Sequence, residues 1–208
     1  MITLRNIHKY FGQLKVMEDF SIDFEEGKVT CLLGPSGCGK STILKMLSRL
    51  DTKYAGNIVG LDNKKLSYVF QESRLIPWLT VEENLSYVLE GKLPEDLLKE
   101  RIEFFLNKVE LTAFRKAYPN TLSGGMKQRV SLARAFAMPH DILLMDEPFQ
   151  GLDDELKDQL MTLLEELICL DKKTVIIVTH DLQEASRLGD KIIRLIGCPI
   201  TQSEEIRI

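Results

Sequence analysis

One nine-residue stretch, GPSGCGKST at 34–42, restricts the fold of this chain more than any other segment. It follows a short apolar run, VTCLL at 29–33, and it precedes apolar residues that recur at helical spacing. Its glycines let the backbone curl around a ligand without interference from Cβ atoms. A buried strand, a glycine-rich loop and a helix, in this order, predict a loop whose backbone N–H groups hold phosphate oxygens.

The residues of this stretch, which we call the phosphate loop, have separable expected roles. Lys40 adds a point charge toward the β- and γ-phosphates of a nucleotide, and the Ser41 hydroxyl can ligate Mg²⁺. The other predicted binding residues are Gly34, Pro35, Ser36, Gly37, Cys38, Gly39 and Thr42. An ordinary glycine turn is the alternative, and the flanking strand and helix argue against it.

Two more apolar runs predict the sheet to which this loop belongs. DILLMDEP at 141–148 and TVIIVTH at 174–180 are too continuously apolar for strands with one wet face. Between them, leucines at helical spacing predict a long helix: Leu156, Leu160, Leu163, Leu167 and Leu170. Strand, helix and strand in alternation predict an α/β fold with a parallel sheet covered by helices.

The segment 72–135 interrupts this alternation, because its patterns are helical. Thr80 and Glu83 form a capping-box pattern ahead of one predicted helix, and an apolar stripe marks a second helix after it. We therefore predict a single domain over residues 1–208, with a helical subdomain inserted at about 72–135.

A third helix is predicted within LSGGMKQRVSLARAFA at 122–137. It opens with Ser123, Gly124 and Gly125, so its first backbone N–H groups are unobstructed and suit an anion. Two predicted phosphate sites in one chain raise the question of whose phosphate the second one binds.

Two adjacent carboxylates, Asp146 and Glu147, follow the apolar run ILLM, at the sheet edge where ligands bind in open parallel sheets. Neighbouring strand residues point to opposite faces, so we expect the two carboxylates to have different tasks. One can hold Mg²⁺, and the other can orient and deprotonate a water molecule. The alternative is that the acidic pair only ends a strand before a turn. The presence of a phosphate loop earlier in the chain argues against this alternative.

Three histidines are present, and their contexts differ. His180 ends the strand pattern VIIVTH, which places it at the same edge of the sheet as the carboxylates. We expect His180 to have a functional role, whereas the contexts of His8 and His140 indicate solvated surface.

The composition indicates which binding partners and which cellular compartment to expect. The net charge of −4 gives no support to nucleic-acid binding, and we expect no nucleic-acid partner. The four cysteines form no CxxC pair, which favours a reduced setting over a metal site. Since no apolar run approaches the roughly 18 residues that cross a bilayer, we expect any membrane link to go through a partner.

The order of these motifs resembles that of the nucleotide-binding subunit of ABC transporters, over essentially the whole chain. GPSGCGKST is similar to the Walker A motif of that family, LSGGM to its signature motif and ILLMDE to its Walker B motif. GLD at 151–153 is similar to the D-loop, Gln71 to the Q-loop glutamine and His180 to the switch histidine. The resemblance implies a P-loop NTPase fold with a mostly parallel sheet, an antiparallel β edge and an inserted helical subdomain.

The resemblance also implies a role for the second phosphate site. In ABC proteins two such domains pack head to tail, and the signature helix of one covers ATP held by the Walker A loop of the other. By this resemblance, Ser123, Gly124 and Gly125 bind the γ-phosphate of ATP on a second copy of the chain, and Asp153 links the two sites.

Further roles follow from the resemblance, position by position. Glu147 corresponds to the general base, Asp146 and Gln71 to residues at Mg²⁺, and His180 to a contact of the γ-phosphate. Phe11 occupies the place of the aromatic residue that stacks on adenine. Tyr10 is the alternative, but alternation along a strand would point its ring elsewhere.

Two segments are similar in sequence to the ATPases of the importer branch for nitrate, sulfonate and taurine. That branch also includes importers of thiamine precursors. These segments are PWLTVEEN, within 71–85 where the family contacts its membrane subunit, and MDEPF after Walker B. The alternative is that Pro77 and Trp78 only pack a loop against the subdomain. The chain departs from the family at Met126, where glutamine is commoner, and at Gln150 and Gly151, where this branch more often has two small residues.

We therefore expect an ATPase subunit at the cytoplasmic face of a membrane, which couples ATP-driven dimer closure to import through a permease, with a solute-binding protein as a further partner. An exporter or lipoprotein-release ATPase shares every catalytic motif and is one alternative. A soluble ABC ATPase acting on ribosomes or DNA is another, although those usually have two fused domains or a coiled-coil insertion. A kinase would leave LSGGM and His180 unexplained.

Overall fold

The computed structural model describes residues 1–170 and 172–206. The strands are β1 (Ile2–Phe11), β2 (Leu14–Phe24), β3 (Val29–Leu33), β4 (Ala55–Val59), β5 (Leu66–Val69), β6 (Ile142–Asp146), β7 (Thr174–Thr179), β8 (Lys191–Ile196) and β9 (Gln202–Ile206). The α-helices are α1 (Lys40–Leu47), α2 (Val81–Leu89), α3 (Glu95–Lys108), α4 (Gly124–Ala137), α5 (Asp154–Leu170) and α6 (Leu182–Leu188). The chain divides into two compact units, described in turn.

The first unit comprises residues 1–68, 141–147 and 172–206, and it contains the phosphate loop. Its larger sheet has the strand order β5-β6-β7-β3-β8-β9. Strands β6, β7, β3 and β8 pair in parallel, and β9 pairs with β8 in antiparallel fashion. Strands β3, β6 and β7 are buried along their whole length, which explains their continuously apolar sequences.

The predicted antiparallel edge is a second sheet of the same unit, in the order β2-β1-β4. Its inner face joins a core with α1 and the parallel strands, in which Phe20, Ile43 and Leu144 are among the buried members. Helix α1 is thus held by apolar contacts, and this fixes the phosphate loop from which it starts. The predicted fold class is confirmed.

The second unit comprises residues 69–140 and 148–170, and α2 to α5 lie in it. Thr80 and Glu83 form the predicted capping box of α2: the Thr80 hydroxyl accepts from the Glu83 N–H, and the Glu83 carboxylate accepts from the Thr80 N–H. The segment 72–135 falls within this unit, and its status as a subdomain remains a prediction.

Three details of the sequence interpretation need correction or comment. His140, expected at the surface, is buried, and its Nδ1 lies 2.7 Å from the Met138 carbonyl oxygen. Leu170, expected on the apolar stripe of α5, is exposed. No helix among the described residues is long and apolar enough to cross a membrane.

Candidate functional site

The phosphate loop has a backbone that only glycine adopts easily. Gly37 and Gly39 have φ angles of 78° and 116°, in the left-handed region that favours glycine. Gly39 is also the N-cap of α1, and a Cβ built there would lie 2.7 Å from Val16 Cγ1. A side chain at position 39 would therefore strain the backbone and collide with β2.

Lys40 begins α1, and its side chain is almost fully buried. Its ammonium donates to the backbone oxygens of Gly34 at 2.8 Å and Pro35 at 3.0 Å. It also lies 3.7 Å from Glu147 Oε1. These contacts compensate the burial of the charge and hold it against the loop.

Ser41 and Asp146, two of the predicted Mg²⁺ ligands, lie together. The Ser41 hydroxyl donates to Asp146 Oδ1 at 2.7 Å, and the Tyr68 hydroxyl donates to Asp146 Oδ2 at 3.3 Å. A hydroxyl and a carboxylate are the hard oxygen ligands that Mg²⁺ takes, so these residues fit that ion. Tyr68 did not emerge from the sequence interpretation, because only the placement of β5 beside β6 brings it to Asp146.

Glu147 has a different environment from Asp146. Its φ of 44° lies in the left-handed region, which is unusual for a residue other than glycine, and its N–H donates to the Val178 carbonyl at 2.9 Å. Its Oε2 lies 3.1 Å from His180 Nδ1. The two carboxylates thus contact different groups, as expected, although the left-handed turn rather than strand alternation directs Glu147.

His180 follows β7 directly, and the turn around it is held by local hydrogen bonds. Thr179 Oγ1 donates to the buried Glu184 and accepts from the Asp181 N–H at 3.0 Å. Asp181 caps α6 by accepting from the Gln183 N–H at 2.7 Å. The turn presents His180, which is about half exposed, beside Glu147.

Phe11 and Tyr10, the two candidates for stacking on adenine, end β1. The exposed fractions are 50% for Phe11 and 47% for Tyr10, so exposure does not separate them. The preference for Phe11 remains a prediction.

In the second unit, the LSGGM segment forms the start of α4. Ser123 is the N-cap, and its hydroxyl accepts from the Met126 N–H at 3.3 Å. A Cβ built on Gly125 would lie 2.6 Å from Leu156 Cδ2, whereas one on Gly124 would meet open space. Gly125 therefore allows α5 to pack closely against the start of α4.

Gln71, the third predicted Mg²⁺ ligand, also belongs to the second unit, where its side-chain amide donates to Gln150. The backbone before Gln150 is anchored, since buried Gln128 donates to the Pro148 carbonyl at 2.7 Å. Asp153 accepts from the Leu156 N–H at 3.0 Å and so caps α5. The role of Asp153 between two copies of the chain stays a prediction.

Arg134 of α4 ties the segment after Gln71 to that helix. Its guanidinium donates to the carbonyls of Ser73 and Arg74, both at 3.1 Å. Burial lowers the pKa of Arg134, yet these two carbonyls provide hydrogen-bond partners for the half-buried cation.

Comparison with known proteins agrees with this geometry. A family model described as ABC transporter matches residues 17–150. The aliphatic sulfonates import ATP-binding protein SsuB of Bacillus cereus (strain ZK / E33L) is 38% identical over 208 residues, which cover 95% of this chain and 82% of that protein. The probable sulfate/thiosulfate import ATP-binding protein CysA of Chlorella vulgaris is 39% identical over 211 residues, which cover 97% of this chain and 89% of that protein.

A solved structure gives the same result for the fold. The dimeric post-hydrolysis structure of the ATP-binding cassette MJ0796, bound to ADP and Pi, has a TM-score of 0.84 and 32% identity, and the match covers 100% of this chain and 99% of that one. The resemblance to the sulfonate branch is confirmed by the SsuB relatives. The chain therefore belongs to the ABC transporter family, as an ATP-binding cassette that hydrolyses ATP.

Proposed function

We propose that this ATPase powers an importer, in which ATP closes a head-to-tail dimer, closure moves a membrane permease, and hydrolysis resets the system. The observation that carries the catalytic part is the position of Glu147, whose carboxylate lies between Lys40 and His180 while the adjacent Asp146 is bonded to Ser41. Relatives named as import proteins support import rather than export.

For the nucleotide, we assign roles to residues of the first unit. Lys40 and the backbone of the phosphate loop bind the β- and γ-phosphates of ATP, and Phe11 stacks on adenine. Glu147 accepts the proton of the attacking water, and His180 contacts the γ-phosphate through Nε2 while its Nδ1 orients the Glu147 carboxylate.

For Mg²⁺, we propose the Ser41 hydroxyl and the Asp146 carboxylate as ligands, and Gln71 as a third. The bound ion would neutralise charge on the phosphate oxygens. The hydroxyl groups of Ser41 and Tyr68 already orient the Asp146 carboxylate, so its oxygens are held in place for the ion.

The dimer would use the start of α4. Ser123, Gly124 and Gly125 would bind the γ-phosphate held by a second copy of the chain, with Asp153 between the two sites. The dimeric form of MJ0796 supports this arrangement.

The permease is proposed to contact 71–85 and the neighbouring surface of the second unit. Trp78 is 74% exposed, which is unfavourable for an indole in water and argues against the alternative that it only packs a loop. Other aromatic side chains of this unit are also exposed, among them Tyr87 and Phe104. Arg134 joins the 71–85 segment to α4 through hydrogen bonds. A displacement of the 71–85 segment would therefore also displace α4.

The proposed location of the ATPase in the cell follows from these partners. The ATPase is membrane-associated, and we place it at the cytoplasmic face, with a solute-binding protein delivering the solute to the permease. SsuB and CysA are named for aliphatic sulfonates and for sulfate/thiosulfate, and solute choice would lie with the other subunits.

The catalytic proposal is tested by Glu147→Gln. The variant should bind ATP about as well as the parent but hydrolyse it at least about 100-fold more slowly, because the water loses its base. Steady-state ATPase assays and ATP-binding titrations measure the two effects. Glu100→Gln, an exposed glutamate of α3, is the matched control, and near-normal turnover of Glu147→Gln would overturn the assignment.

A further inference from the structure

A buried charge lies under the proposed adenine contact, and the chemistry above does not use it. The Lys9 side chain is only 1% exposed, although it carries an ammonium group. Its Nζ donates to Asp51 Oδ1 and to the Lys53 carbonyl, both at 2.7 Å. A buried cation is tolerated only with such partners.

The partner carboxylate is tuned to remain charged. Burial pushes the pKa of Asp51 upward, but the hydrogen bonds from Lys9 and from the Lys53 N–H, together with the Lys9 charge, outweigh it. The pKa of Asp51 therefore lies below its ordinary value, and the Asp51 carboxylate stays ionised near neutral pH.

The same ammonium contacts Phe11. Lys9 Nζ lies 4.5 Å from the centroid of the Phe11 ring, within the range of a cation–π interaction. Since Lys9 is buried and Phe11 is half exposed, the cation lies on the protein side of the ring. The ring is thereby restrained from the inside while part of it stays open to a ligand.

The pair also connects the ring to the phosphate loop helix. Asp51 follows α1, and its N–H donates to the Lys45 carbonyl of that helix at 3.0 Å. Lys9 therefore links the end of β1, which carries Phe11, to the far end of the helix that starts at the phosphate loop. The distance between a base on Phe11 and phosphates on the loop would depend on this link.

We propose that Lys9 is a positioning residue for the nucleotide base: its ammonium orients the Phe11 ring and draws the π electrons of that ring inward. A ring polarised in this way stacks better on an electron-rich purine. This inference rests on the proposed role of Phe11 and goes beyond it, because it assigns the base affinity partly to a buried residue that never touches the nucleotide.

The test is a double-mutant cycle on the purified full-length chain. Binding of ATP and of inorganic tripolyphosphate, which has no base, is titrated for Lys9→Met, Phe11→Ala and the double variant. Lys9→Met should weaken ATP about 3- to 10-fold and leave tripolyphosphate unchanged. In the Phe11→Ala background it should have no further effect, because the residue acts through the ring.

Two further variants keep the result interpretable. Lys9→Met leaves Asp51 without its cation, so the titrations are repeated with Lys9→Met combined with Asp51→Asn, which removes both charges and should give the same selective loss. Lys15→Met is the matched control, since Lys15 lies 6.0 Å from the Tyr10 ring and should not affect ATP binding.

The outcomes separate the two proposals. If Phe11→Ala leaves ATP affinity unchanged, the adenine contact itself is wrong and the role of Lys9 fails with it. If Phe11→Ala weakens ATP but Lys9→Met does not, or if Lys9→Met weakens tripolyphosphate equally, only the role of Lys9 is overturned.

Discussion

Helices α1 and α4 both begin where the sequence predicts a phosphate, but their first turns are built differently. The N-cap of α1 is Gly39, which has a left-handed φ of 116° and makes no side-chain cap bond. The N-cap of α4 is Ser123, whose extended backbone lets its hydroxyl cap the Met126 N–H. One turn uses glycine for close backbone approach, and the other is an ordinary capped helix start.

Their surroundings differ as well. In the first unit, Lys40, Ser41, Asp146, Glu147 and His180 are joined by direct contacts near the start of α1. At the start of α4 the contacts are a serine cap and a glycine that admits Leu156. The two helix starts thus fit the two tasks proposed for them: binding and chemistry at α1, and recognition of a phosphate held by a second chain at α4.

The largest effect that would sharpen this comparison is expected for Lys40→Met. Removing a buried charge that we propose to bind the phosphates should weaken ATP binding at least about 30-fold and reduce turnover correspondingly. Fluorescence titration with labelled ATP measures the loss, with Lys45→Met on the same helix as control. Retention of normal affinity would remove the distinction between the two helix starts.

Ser123→Arg tests the other side of the comparison. A bulky cation there should leave ATP binding to the monomer within about 2-fold, because Ser123 is proposed to contact only the phosphate of a second chain. It should block ATP-dependent dimerisation, measured by light scattering in a Glu147→Gln background. Ser123→Ala, which removes the helix cap without adding bulk, separates cap loss from blockage. A Ser123→Arg protein that still dimerises would contradict the shared site.

The smallest effect is expected for Tyr68→Phe, which removes one hydrogen bond to Asp146. Loss of a bond worth about 1 kcal/mol should raise the Mg²⁺ concentration for half-maximal ATPase activity about 5-fold. Magnesium titration of the ATPase rate measures it, with the exposed Tyr87→Phe as control. An unchanged Mg²⁺ dependence would show that Tyr68 does not orient the carboxylate.

Much of the fold and the motif positions could be predicted, because they depend on local patterns. The continuously apolar runs before Gly34 and Asp146 predict buried parallel strands, and the capping box at Thr80 predicts the start of α2. Burial of individual polar residues could not be predicted in the same way. His140 lies between α4 and β6, where solvated surface is expected, yet it is buried and its ring lies 6.0 Å from that of Phe136.

The sequence by itself determined the chemistry that this protein can perform, since residue types and their spacing specify a phosphate loop, two carboxylates at a strand end and a helix start suited to an anion. Only the tertiary structure decided which groups hold those residues in place. The Tyr68 bond to Asp146, the Glu147 N–H bond to Val178 and the Lys9 bond to Asp51 all depend on segments distant in the chain. Such contacts follow from strand order and packing, which no local pattern encodes.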